Sequence, residues 1–150
     1  MMAVLVSVQV GSPEYEGTVG RAEMSLMKRA ARAALQAMGI AGAELSMTLL
    51  GDDEMAALNQ RWLGHTGPTD VISFPLFEAG EKPVGDIYIG VLQAERQATE
   101  LGVPIGEELA RLAIHGTLHV LGLDHPAGKA RESSTMWKTQ ERILEELMKA

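Results

Sequence analysis

The sequence predicts an α+β domain, a small mixed β-sheet with helices packed on it, and three observations lead there. Strand-like stretches fall before residue 91 and helical periodicity dominates after it. A long helical segment separates the first two strands, so they pair in parallel through a right-handed crossover. The third and fourth strands are joined through a Gly- and Pro-containing turn, as in an antiparallel hairpin.

Taken in order, Val4, Val6, Val8 and Val10 alternate with more polar residues, the period-2 pattern of a strand with one buried face. Gly11-Ser12-Pro13 is a turn. Apolar residues recur at helical spacing from about Thr18 to Met38, with Thr18 as N-cap and Gly39 as C-terminal stop. Glu44 to Leu50 reads as the second strand, and Asp52 as the cap of a shorter helix ending near Leu63. After a loop from Gly64 to Pro68 come strands at Val71–Phe74 and Val84–Ile89. Helices are expected at about Val91–Leu101, Ile105–Leu121 and Arg131–Met148. There is no repeat, linker or low-complexity tract, so residues 1–150 form a single domain.

Composition narrows the function classes. An apolar fraction of 46% supports a real core, and the formal net charge of −7 argues against a protein that coats nucleic acid by bulk electrostatics. No apolar run approaches the ~18 residues of a membrane span, and no basic start followed by an apolar stretch marks a secretory signal. A cytoplasmic protein without membrane contact is the expectation. The absence of cysteine excludes disulfides and thiolate metal sites, leaving His, Asp or Glu to hold any metal.

Three of the four histidines lie in HGTLHVLGLDH, residues 115 to 125. His115 and His119 are i and i+4 on a helical segment and share a face, with Cβ atoms roughly 5–6 Å apart. Gly122 sits where a glycine in the left-handed region ends a helix, and three further residues, spanning at most about 10 Å, can return His125 over the first two. Three neutral imidazoles with a fourth position open make the donor set of a catalytic zinc site. A lone histidine on an apolar helix face is more often a hydrogen-bonded core residue, but three at this spacing are not explained that way. One class of zinc peptidases shares the spacing H-x-x-x-H-x-x-G-x-x-H and carries a glutamate base after the first histidine. Here that residue is Gly116, so proteolysis lacks its base. A mid-helix glycine costs about 1 kcal/mol relative to alanine. Something therefore approaches the backbone closely at Gly116, either a packed element or a substrate.

HGTLHVLGLDHP resembles the signature of the YbeY family of bacterial rRNA-maturation endoribonucleases. So do LNQRWLGHTGPTDVISFP (Leu58 to Pro75), VGDIYIG (Val84 to Gly90) and MWKTQERIL (Met136 to Leu144), in the family's order. The resemblance implies an α+β hydrolase with one zinc ion on His115, His119 and His125. It also implies a single-strand endoribonuclease acting in small-subunit ribosomal RNA maturation and ribosome quality control, with ribosomal RNA, the small subunit and ribosomal proteins as partners. At one position the chain departs from the pattern. Many members carry an arginine five positions after the Leu of the Leu-Asn pair, where this chain has Leu63, flanked by Arg61 and His65 at non-matching positions.

Other residues have competing readings. Asp86 lies in the strand that by resemblance borders the histidines; it would accept a proton as a catalytic carboxylate or orient an imidazole, or else cap a turn at a sheet edge. Asp124 points away from its neighbouring ligand and is structural. Thr69 and Asp70 satisfy backbone groups after Pro68, and Met136 belongs to the core. Arg21, Lys28, Arg29 and Arg32 lie on one side of the first helix, as a phosphate-binding stripe for RNA or as a solvated face. Asp52, Asp53 and Glu54 favour a helix N-terminus. The alternative to a nuclease is a ribosome-associated assembly or binding factor with structural zinc and little cleavage.

Overall fold

A computed structural model describes residues 3–123 and 134–149. Strand β1 (Val4–Val10) leads through a short 3-10 turn to helix α1 (Arg21–Ala37) and strand β2 (Ala43–Leu50). Helix α2 (Asp52–Leu58) runs into a π-helical turn over Asn59–Leu63. Strands β3 (Val71–Pro75) and β4 (Val84–Gly90) follow, and helices α3 (Val91–Leu101), α4 (Ile105–Val120) and α5 (Thr135–Lys149) complete the described chain.

The sheet order is β1-β2-β4-β3. β2 pairs in parallel with both β1 and β4, and β3 pairs antiparallel with β4, so the expected crossover pairing and hairpin are both present. One face of the sheet contributes Val6, Leu45, Met47, Leu49, Ile87 and Ile89 to the main core. There they meet Met27 and Leu35 of α1, Leu109, Ile114 and Leu118 of α4, and Ile143 of α5. Burying one such aliphatic side chain contributes about 1.5–3 kcal/mol, which is why these helices stay on the sheet. The other face holds a smaller cluster in which Ile72, Phe74 and Tyr88 pack with Leu50, Met55 and Leu58. Trp62 meets Phe74 edge-on, and Phe74 meets Tyr88 likewise, each at 5.9 Å.

Two helix starts differ from the sequence reading. α1 is capped at Gly20, not at Thr18, because Glu23 reaches back to accept the Gly20 N–H at 3.0 Å and fixes the entry two residues later. α2 is capped at Gly51, whose N–H donates to Ser12 Oγ (3.0 Å). Asp52 instead occupies the first helical position and pairs with Arg96. The acidic first turn of α2 remains, as the helix dipole favours. The expected start of the last helix at Arg131 falls outside the described residues, and Ser134 Oγ accepts the Trp137 N–H at its described end.

Candidate active site

α4 is the central helix, packed between α1 and α3 with α5 against it. Its sequence allows that position because one residue is Gly116. A Cβ there would lie 2.6 Å from Ile87 Cγ2 and 3.2 Å from both Ser73 Oγ and Val71 Cγ2. The Ser73 hydroxyl donates to the Gly116 carbonyl at 3.0 Å. The close approach is therefore made by a packed element: the helix lies directly on β3 and β4. A glutamate at this position would run into the sheet. Gly122, at φ +96°, ends the helix in the left-handed conformation the sequence requires.

On another side of α4, the rings of His115 and His119 are neighbours, with centroids 4.7 Å apart. His115 is 5% exposed and its Nδ1 lies 2.6 Å from Gln140 Oε1 of α5, while His119 is half-buried in the last turn. The partial negative charge at a helix C-terminus favours a cation there. His125 and Asp124 lie outside the described residues, and among the described residues no three His, Asp or Glu side chains converge as a metal site. The two described imidazoles fit a metal centre in two respects: their rings are adjacent, and each has a ring nitrogen suited to zinc.

A cleft of about 510 Å³ opens beside His115, between α3, α4 and α5. Among the described residues its lining carries the carboxylates of Asp70, Glu100, Glu108 and Glu141 against one guanidinium, Arg111. Glu108 is buried; desolvation pushes its carboxyl above the ordinary value, although Gln97 (2.7 Å) and Arg111 both donate to it. Arg111 also grips Glu141, with Nε–Oε2 at 3.0 Å, and these carboxylates hold the guanidinium pKa up despite its burial. Asp70 accepts the Val71 N–H at 2.8 Å, the structural task expected of it, and also forms part of the cleft wall.

The remaining sequence candidates are placed as follows. Asp86 is not brought to the imidazoles. It pairs with Ser46 and Phe74 on the internal strand β4, and alternates with Ile87, the residue that faces Gly116. Strand alternation therefore puts Asp86 on the sheet face away from α4, and an internal strand also rules out its edge-capping role. Arg21, Lys28, Arg29 and Arg32 are exposed on α1 as a face; none lines the cleft, and Arg32 donates to the Val4 carbonyl at 3.3 Å. Leu63 is 49% exposed beside Trp62, over whose ring Arg61 lies at 5.3 Å. Met136 is core, as expected. Sequence reasoning missed Gln140. Its signal was a polar residue in the apolar stripe Met136, Ile143 and Leu144.

The family model described as Endoribonuclease YbeY matches residues 15–148. The chain belongs to the YbeY family. The endoribonuclease YbeY of Moorella thermoacetica is 40% identical over 147 residues, covering 90% of this chain and 93% of its own. The YbeY of Persephonella marina is 38% identical over 125 residues, 81% of each chain. Among solved structures, TM1509 from Thermotoga maritima superposes with a TM-score of 0.65 at 28% identity, over 97% of this chain and 90% of that one. The YbeY family is thus reached from residues spread over the whole fold, not from the histidine block alone. No helix among the described residues is long and apolar enough to cross a membrane.

Proposed function

We propose that this YbeY-family chain is a zinc-dependent endoribonuclease that cuts single-stranded RNA in the cytoplasm, in small-subunit ribosomal RNA maturation and ribosome quality control. The observation that carries the reading is the adjacent imidazole pair of His115 and His119 beside an open cleft, in a chain whose relatives are endoribonucleases. His115, His119 and His125 would hold one zinc ion. When bound, zinc supplies Lewis acidity, stabilising negative charge on phosphate oxygens and easing deprotonation of water.

The chain's own residues supply the rest. His115 is seated in a buried, hydrogen-bonded position, so its ring is held before any ligand arrives, with the His119 ring beside it one turn on. Among the described residues the cleft wall carries more carboxylates than cations, so a cation at the imidazoles would favour the approach of phosphate. The exposed α1 stripe would contact phosphates further along the strand, with ribosomal RNA, the small subunit and its proteins as the natural context.

One observation favours the second reading, an assembly factor with structural zinc. Leu63 stands exposed where many members carry arginine, so no cation is supplied from that turn's matching position. Metal analysis of the purified protein, joined to cleavage of single-stranded RNA with and without chelator, separates the two. Stoichiometric zinc with chelator-sensitive cleavage, both lost in His119→Ala, is the expected result. Zinc whose removal unfolds the protein, with no metal-dependent cleavage, establishes the assembly factor.

A further inference from the structure

We propose that Gln140 is a positioning residue, holding the proton of His115 on Nδ1 so that Nε2 is the nitrogen presented for ligation. The relevance to zinc rests on the function proposed above; the tautomer itself does not. The argument follows donors and acceptors. Gln140 Nε2 donates to Glu141 Oε2 at 3.0 Å, because a carboxylate only accepts. That contact fixes which way the amide faces, and leaves Oε1, which also only accepts, 2.6 Å from His115 Nδ1. Nδ1 must therefore be the donor, and the lone pair of the neutral ring is on Nε2.

Glu141 is in turn held by Arg111, whose Nε reaches both carboxylate oxygens (3.0 and 3.3 Å) and whose Nη2 reaches Oε1 at 3.3 Å. Arg111 also donates to the buried Glu108, which accepts from Gln97 of α3. A continuous chain of hydrogen bonds thus runs from α3 through α4 and α5 to one ring nitrogen of one imidazole. Gln140 is 1% exposed, so water does not compete for its oxygen. A neutral carbonyl orients the ring without adding a charge to a wall already rich in carboxylates.

The test uses the full-length protein, metal-free, with 15N-labelled histidine, at a pH where the rings are neutral. The expected two-bond 1H–15N pattern for His115 is that of the Nδ1–H tautomer. In Gln140→Leu, which keeps the volume and removes the acceptor, the Nε2–H form should gain. Zinc affinity, read by competition with a chromophoric chelator, should weaken about 10–100-fold. Ile143→Val loosens the same helix without touching the amide, and should leave both readouts at parent values. An Nε2–H ring in the parent overturns the proposal, as does a Gln140→Leu protein that binds zinc as tightly as the parent, or an Ile143→Val protein that matches it in loss. If Gln140→Leu does not fold, the parent tautomer alone decides. A parent that takes up no zinc removes the proposed function, while the tautomer measurement still decides the role of Gln140.

Discussion

Adding one methyl group at Gly116 tests whether α4 is held down on the sheet by the absence of a side chain. In isolation, Gly116→Ala should help, since alanine is favoured over glycine in a helix interior by about 1 kcal/mol. Against this, the new Cβ would sit 2.6 Å from Ile87 Cγ2 and 3.2 Å from Ser73 Oγ. Overpacking of a tight core costs about 1–3 kcal/mol. Lifting the helix also weakens the bond from Ser73 to the Gly116 carbonyl, worth about 0.5–1.5 kcal/mol. Packing wins, with a net loss of about 1–3 kcal/mol. At about 2–4 °C per kcal/mol for a domain of this size, a 2 kcal/mol loss lowers Tm by roughly 4–8 °C. The assay is chemical and thermal denaturation of the parent, Gly116→Ala, Ile87→Ala and the double variant. Ile87→Ala empties the space the new methyl needs, so the double variant should be more stable than the sum of the singles by about 0.5–3 kcal/mol. A Gly116→Ala protein as stable as the parent, or strict additivity in the cycle, would refute the packing account.

Three further expectations concern charge and chemistry. Reversing Arg29 and Arg32 to glutamate should weaken single-stranded RNA binding several-fold and flatten the dependence of log affinity on log salt, leaving metal content unchanged; an unchanged salt slope removes the stripe from the RNA path. Because burial raises the Glu108 carboxyl in the folded state, this group's contribution to stability is present below its ordinary value and lost as pH rises through the folded value. The Tm of Glu108→Gln relative to the parent should therefore climb with pH across that window and then level off, and a flat difference in melting scans contradicts the buried-carboxylate account. Cleavage of an unstructured protein that stops on chelation should not occur, since a side chain after His115 would meet the sheet.

Much of the fold was legible because period decides it. The alternating valines of β1, the crossover pairing and the β3–β4 hairpin are all as the sequence implied. Helix starts were less legible. The entries to α1 and α2 are set by Glu23 reaching back and by Ser12 reaching across 39 residues, and the second of these leaves no local mark. The face that Asp86 takes was readable from parity: in VGDIYIG it shares a face with Tyr88, not with Ile87 and Ile89. The helical pair His115 and His119 was legible from i, i+4 spacing. Gln140 showed only as a polar interruption of an apolar stripe, because its partner is a tertiary neighbour.

The bond between Gln140 and His115 joins residues 25 positions apart, across the whole segment from α4 to α5. Ribosomes extend chains at about 5–20 residues per second, so roughly 1–5 s pass between the synthesis of the imidazole and that of the amide that contacts it. Once His119 is added, the growing polypeptide carries the sequence of all four strands and both helical histidines, but not the acceptor. If Gln140 acts as proposed above, a chain that lacks the C-terminal helix carries the two imidazoles of α4 without the acceptor for His115 Nδ1.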